Sequence, residues 1–471
     1  MGTAPWRYVG PATLLLGAAL IACVGNGPVL AQPAAARARF VRLEEVQSLL
    51  ADALPAAIRD GTPAARERAF EDWLRIRERQ IRARVLRADE DALVPLLLFG
   101  TSFTKAPRLT TAFFVGRQGS PPAETERAFA ATFAQRTDDL LAALASAAVE
   151  PRLSWARQTL SRAGHTLRTA AGRAAAGRFL VETFARVTRE SEALATTLRV
   201  GSESSVERAH AFAQRALASD TSWPVNFAIS EALAALRSRG VIPAATTIGR
   251  VAVVGPGLDN VDKDEGFDHY PPQSLQPFAL VDALVRLQLA PRSPVDVFTL
   301  DVNPRVNAHL RAARAVGRPY LLHLVAHDRP WTAAAKSYWV AMGRAIGTDV
   351  TGPTPKIISG ASDSRAVRIP VNVLRHLTVL DSNIVCERLD LPDSARLDLV
   401  VATNVLLYYD AVEQALAAAN LAHLLRPGGL LLTNTRLTAV PPDLEPSGDT
   451  LTVFSDRPGD GEIVYAYRRP R

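Results

Sequence analysis

The sequence predicts an α/β fold: a doubly wound, mostly parallel sheet that ends in an antiparallel hairpin, preceded by an all-helical N-terminal domain. Past Gly240, short apolar runs alternate with helical stretches, and continuous apolar runs suit strands buried on both faces of a parallel sheet. Before Gly240, apolar residues recur at helical spacing instead. Because 471 residues are many for one compact domain, we predict three segments: a leader at 1–31, a helical domain at 32–239 and a sheet domain at 240–471.

The leader has the features of a signal peptide. Its apolar run, residues 12–24, is too short to span a bilayer, which needs about 20 residues, and a small-residue cleavage site ends at Ala31. Two alternatives stay open. Leu20-Ile21-Ala22-Cys23 resembles a lipobox with Cys23 as the lipidated residue, and the run also fits an uncleaved anchor or a wrongly assigned start. We predict an exported protein, periplasmic or secreted, that associates with a membrane only through this leader or Cys23.

Composition narrows the classes of partner. The net charge is +7 and comes almost entirely from arginine, which gives only slight weight to anionic partners. Aromatic residues are not interleaved with the arginines, so we expect no nucleic-acid partner. The two cysteines, Cys23 and Cys386, are too few and too far apart for a disulfide framework or a cysteine metal site. We predict no metal site.

The helical domain is clearest after Thr62-Pro63. Threonine is a good N-cap, proline suits the first turn, and the apolar residues that follow recur at helical spacing up to Val85. Further helices are predicted at 124–148, 151–163, 173–198, 206–218 and 224–239.

The sheet domain contains five predicted strands and a hairpin. The strands are 250–254, 295–300, 383–389, 397–402 and 430–434. The turn-rich segment 456–461 joins two further strands, 451–454 and 463–467, which indicates an antiparallel hairpin.

The candidate binding residues follow these strands. Ligands of open α/β sheets bind beyond the carboxyl ends of the strands, where the strand order reverses. Those ends carry glycines that let a ligand approach the backbone and side chains that can form hydrogen bonds. The residues are Gly255, Gly257, Asp301, Asp390 and Asn404.

Three motifs carry a family resemblance. Asp301-Val302-Asn303-Pro304 resembles the second motif of class I S-adenosylmethionine-dependent methyltransferases, and residues 397–406 resemble their fourth strand and the loop after it. Leu424-Leu425-Arg426-Pro427-Gly428-Gly429-Leu430 is similar to the turn before their fifth strand. The three motifs occur in the family's order, and the resemblance covers about half of the chain. The resemblance implies a Rossmann-like fold that binds S-adenosylmethionine.

The resemblance also implies a role for each strand end. Gly255 and Gly257 would direct N–H groups at the methionine carboxylate, and Asp301 would accept hydrogen bonds from both ribose hydroxyls. Asp390 would reach the adenine amino group, and Asn404 would lie beside the reacting methyl. The implied activity is methyl transfer to an acceptor of unknown identity, such as a small molecule. No catalytic residue stands out.

Two positions depart from that family's glycine loop and keep other hypotheses open. Val253 stands where an acidic residue is usual, and Asp259 where a third glycine is usual. A second hypothesis is therefore an exported, non-catalytic protein with a degenerate methyltransferase fold, since the methyl donor is expected in the cytoplasm. A third, a nicotinamide-dependent oxidoreductase, needs a glycine at Asn260. Tyr408 and Tyr409 follow the fourth strand closely and are further pocket candidates.

Overall fold

The structure is a computed structural model that describes residues 37–50, 53–146, 150–199, 216–217, 222–259, 268, 270–290, 295–326, 329–350 and 363–471. The chain from Arg37 to Arg471 forms one compact unit. The predicted leader, Cys23 and most of the predicted helix at 206–218 lie outside the described residues. No helix in the described ranges combines the length and apolar character needed to cross a membrane.

The N-terminal half is built mainly from helices. Its elements are β1 (Arg37–Phe40), α1 (Leu43–Leu50), α2 (Ala56–Arg59), α3 (Pro63–Asp91), α4 (Leu93–Phe99), α5 (Thr111–Val115), α6 (Pro122–Ala145), α7 (Pro151–Arg162), α8 (Ala170–Arg199) and α9 (Trp223–Ser238).

Helix α3 begins where the sequence predicts. The Thr62 hydroxyl accepts a hydrogen bond from the Ala65 N–H at 3.4 Å, and Pro63 occupies the first turn, where its missing N–H is not needed. The predicted apolar positions form the buried face, which carries Phe70, Leu74, Ile81 and Val85.

The C-terminal half alternates strands and helices. Its elements are β2 (Arg250–Val254), α10 (Gln276–Arg286), β3 (Asp296–Asp301), α11 (Pro304–Ala315), β4 (Tyr320–Ala326), α12 (Ala333–Ala341), β5 (Thr348–Asp349), β6 (Asp363–Ile369), α13 (Val371–Arg375), β7 (Leu377–Asp381), β8 (Glu387–Asp390), β9 (Leu397–Ala402), α14 (Ala411–Leu424), β10 (Leu425–Thr433), β11 (Glu445–Val453) and β12 (Gly461–Arg468).

Seven of these strands form a mostly parallel sheet in the order β11-β12-β10-β9-β2-β3-β7. The five strands from β10 to β7 run parallel, whereas β12 is antiparallel to both β10 and β11. The chain moves outward from β2 to β3 and β7, then returns to β9 on the other side of β2, so the order reverses between β2 and β9. The doubly wound sheet and its terminal hairpin are confirmed.

Helices cover both faces of this sheet, which explains the continuous apolar strands. Alternate residues of β2, such as Ala252 and Val254, pack on one side against α1, α3 and α14. Their neighbours Val251 and Val253 pack on the other side against α9, α10 and α12. Both sides are therefore dry, as the valine-rich pattern requires.

An all-helical N-terminal domain is not confirmed. Strand β1 pairs antiparallel with β8, and the side chains of α1, α3 and α9 pack in the two cores of the sheet. A separate apolar core is formed only by α4 to α8, with their connecting segments. These long-range pairings follow from where apolar faces meet, which helical periodicity alone does not specify.

The predicted third strand, 383–389, is wrong. The strand that joins β3 is β7, in which Leu300 aligns with Leu380 and Asp301 with Asp381. The end of the segment 383–389 belongs to β8, which is not part of this sheet and pairs with β1 instead. Both segments are short apolar runs, so the choice between them depends on a partner far away in the chain.

Candidate functional site

The carboxyl ends of β2, β3, β7 and β9 surround one cavity at the point of reversal. It measures about 740 Å³, including space open to solvent. Gly255, Gly257, Asp301 and Asn404, predicted from the sequence, all line it, as do Tyr408 and Tyr409. The other lining residues are Val85, Leu217, Ser222, Val225, Asn226, Val254, Gln276, Leu300, Val302, Asn303, Ser382, Ile384, Thr403 and Val405.

The glycine loop serves close packing. Gly255 has a φ of 59°, which favours glycine, and a Cβ there would lie 2.6 Å from Val405 Cγ2. Its N–H donates to the Leu300 carbonyl at 2.8 Å. The Gly255 N–H is therefore not available to a ligand anion, because an oxygen of β3 already accepts it, whereas Gly257 lines the cavity.

Asp301 is a buried carboxyl group on the wall of the cavity. Only 7% of the residue is exposed, and burial raises its pKa to about 7. The Asn303 N–H donates to Oδ1 at 2.7 Å, which opposes that rise but does not cancel it. A carboxyl group held this way accepts hydrogen bonds from a ligand strongly once it is ionised.

Three polar side chains around the cavity keep an unused hydrogen-bonding atom. Asn226 Oδ1, Asn303 Nδ2 and Ser382 Oγ have no partner among the described residues, although each residue is at most 4% exposed. A buried polar atom without a partner costs about 1–3 kcal/mol. Such atoms around one cavity point to a ligand with several hydrogen-bonding groups.

Asn404 lies where β9 ends, next to the end of β10. It has a φ of 58°, uncommon for a residue with a side chain, and its N–H donates to Asn434 Oδ1 at 2.8 Å. Asn434 Nδ2 donates back to Asn404 Oδ1 at 2.7 Å. The amide pair fixes this turn beside the preceding residue, Thr403, whose hydroxyl accepts a hydrogen bond from Gln276 at 2.7 Å.

Asp390 does not join the other predicted residues. It ends β8, outside the large sheet, and its carboxylate accepts a hydrogen bond from Arg39 Nε at 2.7 Å. Its side chain is 45% exposed and it does not line the cavity. Its assignment rested on the wrong third strand. The residue that follows the true third strand and lines the cavity is Ser382.

Asp259 does not face the cavity. Its carboxylate accepts a hydrogen bond from the Tyr270 hydroxyl at 2.7 Å, and its backbone forms an isolated β-bridge with Gln273. Asp259 therefore bonds to the segment 270–273 and does not line the cavity.

The electrostatics of the cavity are distinctive. Its described lining residues include one carboxyl group, that of Asp301, and no lysine, arginine or histidine. Burial raises the pKa of Tyr409, so its hydroxyl stays protonated. The lining thus favours neutral or cationic ligands over phosphates.

Sequence reasoning missed the residues that the helices contribute. Val85 of α3, Leu217, and Ser222, Val225 and Asn226 at the start of α9 form a second wall facing the strand ends. Only the packing of these helices against the sheet brings them there. A polar residue on a strongly apolar helix, such as Asn226 among the buried residues of α9, was the available signal.

Comparisons with solved structures find low similarity to NodS and TrmN. No family model and no curated protein matches the chain. NodS, an N-methyltransferase from Bradyrhizobium japonicum WM9, is 12% identical over 53% of this chain and 93% of its own, with a TM-score of 0.23. TrmN from Thermus thermophilus is 13% identical over 49% of this chain and 47% of its own, with a TM-score of 0.23. Values this low carry no conclusion about function.

Proposed function

We propose that the cavity binds S-adenosylmethionine and that the protein transfers its methyl group to an acceptor. The observation that carries the proposal is Asp301: a buried carboxyl group at the end of the second parallel strand, beside the point of strand reversal. A vicinal diol can donate two hydrogen bonds to one carboxylate, which suits a ribose. A buried group with a raised pKa in a cleft is also a frequent mark of a functional site.

The remaining polar atoms suit the rest of a nucleoside. Asn303 Nδ2 and Ser382 Oγ flank Asp301 in the chain and in the sheet, and both lack a partner among the described residues. Val302 and Ile384 supply apolar lining next to them. A flat heterocycle with hydrogen-bonding edges fits such a mixture of apolar surface and unused polar atoms.

The charge of the lining separates this proposal from a nicotinamide cofactor. A dinucleotide carries a pyrophosphate, which is usually bound by glycine N–H groups at a helix N-terminus. Here the Gly255 N–H is bonded to the Leu300 carbonyl, and no basic side chain lines the described cavity. A sulfonium is cationic and does not need those groups.

The protein's part in the reaction is positioning and removal of water. When bound, S-adenosylmethionine would supply a methyl group attached to a sulfonium. The acceptor attacks this methyl carbon in line, and the sulfur is the leaving group. Asp301 holds the donor in place, while the wall formed by Val85, Leu217 and Val225 keeps water from the reacting atoms. No residue is assigned as a general base.

Calorimetry with S-adenosylhomocysteine, the demethylated product, tests the proposal on the full chain. Wild-type protein is expected to bind it, and Asp301→Asn to bind it about 100-fold more weakly, since two hydrogen bonds to a charged group contribute about 3 kcal/mol. Asp390→Asn, which removes an exposed carboxylate outside the cavity, is the matched control and should leave the affinity unchanged. Equal affinities for wild type and Asp301→Asn would remove the ribose assignment, and tighter binding of NAD would favour the oxidoreductase.

The second hypothesis is an exported, non-catalytic protein that retained the fold. It predicts no binding of S-adenosylmethionine or its product by wild-type protein. Cell fractionation that locates the mature chain bears on it directly, because a chain in the periplasm or outside the cell is separated from the methyl donor. The unpartnered atoms of Asn303 and Ser382 favour the first hypothesis, since a cavity without a ligand gains nothing from them.

A further inference from the structure

We infer that Asn226 recognises the methyl acceptor and that the acceptor is a small amine. The inference rests on the proposed function and concerns the wall of the cavity that faces the strand ends. Asn226 belongs to α9, which the helical half contributes, whereas Asp301, Asn303 and Ser382 belong to the strand ends. The two walls provide separate places for donor and acceptor.

The Asn226 amide is oriented by a hydrogen bond. Its Nδ2 donates to the Ser222 carbonyl one helical turn earlier at 2.7 Å. Its Oδ1 has no donor among the described residues, and the residue is 4% exposed. Because the nitrogen is committed, the atom left for a ligand is the oxygen, which only accepts hydrogen bonds. The acceptor must therefore carry an N–H or O–H group.

The lining favours an uncharged acceptor over an anionic one. The described lining contains the carboxyl group of Asp301 and no basic side chain. A carboxylate or phosphate entering this cavity would lose water without contacting a basic side chain of the described lining. Val85, Leu217 and Val225 form the neighbouring apolar surface, which favours a neutral molecule.

The available protein groups favour an amine over an alcohol. An alcohol needs a base on the protein to remove its proton, whereas an ammonium ion can lose its proton to water before the neutral amine attacks. Asp301 is assigned to the donor, and burial raises the pKa of Tyr409, so neither is free to act as that base. The amine nitrogen forms the new bond to the methyl carbon with its lone pair and displaces the sulfur. The sulfur keeps the electrons of the broken bond, and the ammonium product then loses a proton to solvent.

Matched small molecules test the inference. The probes are 2-phenylethylamine, 2-phenylethanol and 3-phenylpropionate, together with hexylamine, hexanol and hexanoate, each added to full-length protein saturated with S-adenosylhomocysteine. Affinities come from calorimetry and from the thermal midpoint, at a pH near the pKa of the amines, where a large share of each amine is neutral. The amines are expected to bind more tightly than the alcohols, and the carboxylates to leave the midpoint unchanged.

Two variants locate the effect. Asn226→Leu should weaken amine binding about tenfold, the loss of one hydrogen bond, while Asn226→Asp, which keeps an oxygen acceptor, should retain it. Both should bind S-adenosylhomocysteine within about twofold of wild type, because the residue lies on the other wall. No binding of either amine, equal binding of the carboxylates, or a loss of S-adenosylhomocysteine binding in Asn226→Leu would each overturn the inference. Failure of wild-type protein to bind S-adenosylhomocysteine would instead overturn the proposed function.

Discussion

Replacing Asp301 by asparagine should stabilise the ligand-free protein at alkaline pH. The carboxyl group is buried, and its pKa in the folded protein is about 7, against 3.8 for the free side chain. The folded state therefore holds the proton more tightly than the unfolded state does. It follows that the free energy of unfolding falls as the pH rises from about 4 through about 7, where the folded carboxyl group ionises.

The size of the effect follows from these two pKa values. Each pKa unit corresponds to about 1.36 kcal/mol, so the ionised group destabilises the fold by about 4 kcal/mol at pH 8. At pH 5 the loss is only about 1.7 kcal/mol, because the folded carboxyl group is still protonated. The wild-type protein should therefore lose about 2.6 kcal/mol between pH 5 and pH 8 through this one residue.

Asparagine does not titrate, so the difference between wild type and Asp301→Asn isolates the pH dependence that comes from Asp301. The amide oxygen can still accept the Asn303 N–H. Chemical unfolding of both proteins at several pH values gives the difference in unfolding free energy. That difference should shift in favour of Asp301→Asn by about 2–3 kcal/mol from pH 5 to pH 8. A difference independent of pH, or one that shifts the other way, would refute the account of a buried carboxyl group with a raised pKa.

Three further predictions concern the loop, the helices and the ligand. Gly255→Ala should destabilise the protein by about 1–3 kcal/mol in thermal unfolding, since the new Cβ meets Val405 at a positive φ; adding Val405→Ala should restore part of the loss. Arg136→Met should lower the free energy of unfolding by about 3–5 kcal/mol in the same measurement. The reason is that this fully buried guanidinium donates to the carbonyls of Leu97, Gly100, Ala106 and Pro107. An unchanged thermal midpoint would contradict this prediction. Calorimetry should show 5′-methylthioadenosine binding within about tenfold of S-adenosylhomocysteine, because the described lining offers no cation to an amino-acid carboxylate; a loss of 1,000-fold would indicate a carboxylate site.

The parts of the fold that the sequence predicted are those with strong local patterns. β2 and β9 have the predicted bounds because their apolar runs end in glycine or polar residues. The third strand was missed because Leu377–Asp381 and the segment 383–389 are equally apolar. Both apolar runs are followed by an aspartate, Asp381 or Asp390, so this feature did not separate them either; only the pairing with β3 does.

The site was predictable to the extent that it lies at strand ends. Asp301 and Asn404 follow strands whose bounds were nearly right, so topology alone brought them together. Asp390 lies outside the cavity, because its assignment depended on the predicted third strand, 383–389, which is wrong. Asn226 could be noticed only as a polar residue on an apolar helix, because its place in the cavity depends on how α9 packs against the sheet, a contact between segments distant in sequence.

The features that support the proposed binding site also destabilise the ligand-free fold. Burial removes the hydration of the Asp301 carboxyl group. In addition, Asn226, Asn303 and Ser382 each keep a polar atom without a partner among the described residues. A ligand that donates to Asp301 and forms hydrogen bonds with the other polar atoms offsets much of the cost of their burial. Its affinity then exceeds what its contact area alone would give. A ligand at 100 times its Kd adds about 2.7 kcal/mol to stability. Asp301, buried at this cost at the carboxyl end of β3, is the group whose retention the proposed ligand would explain.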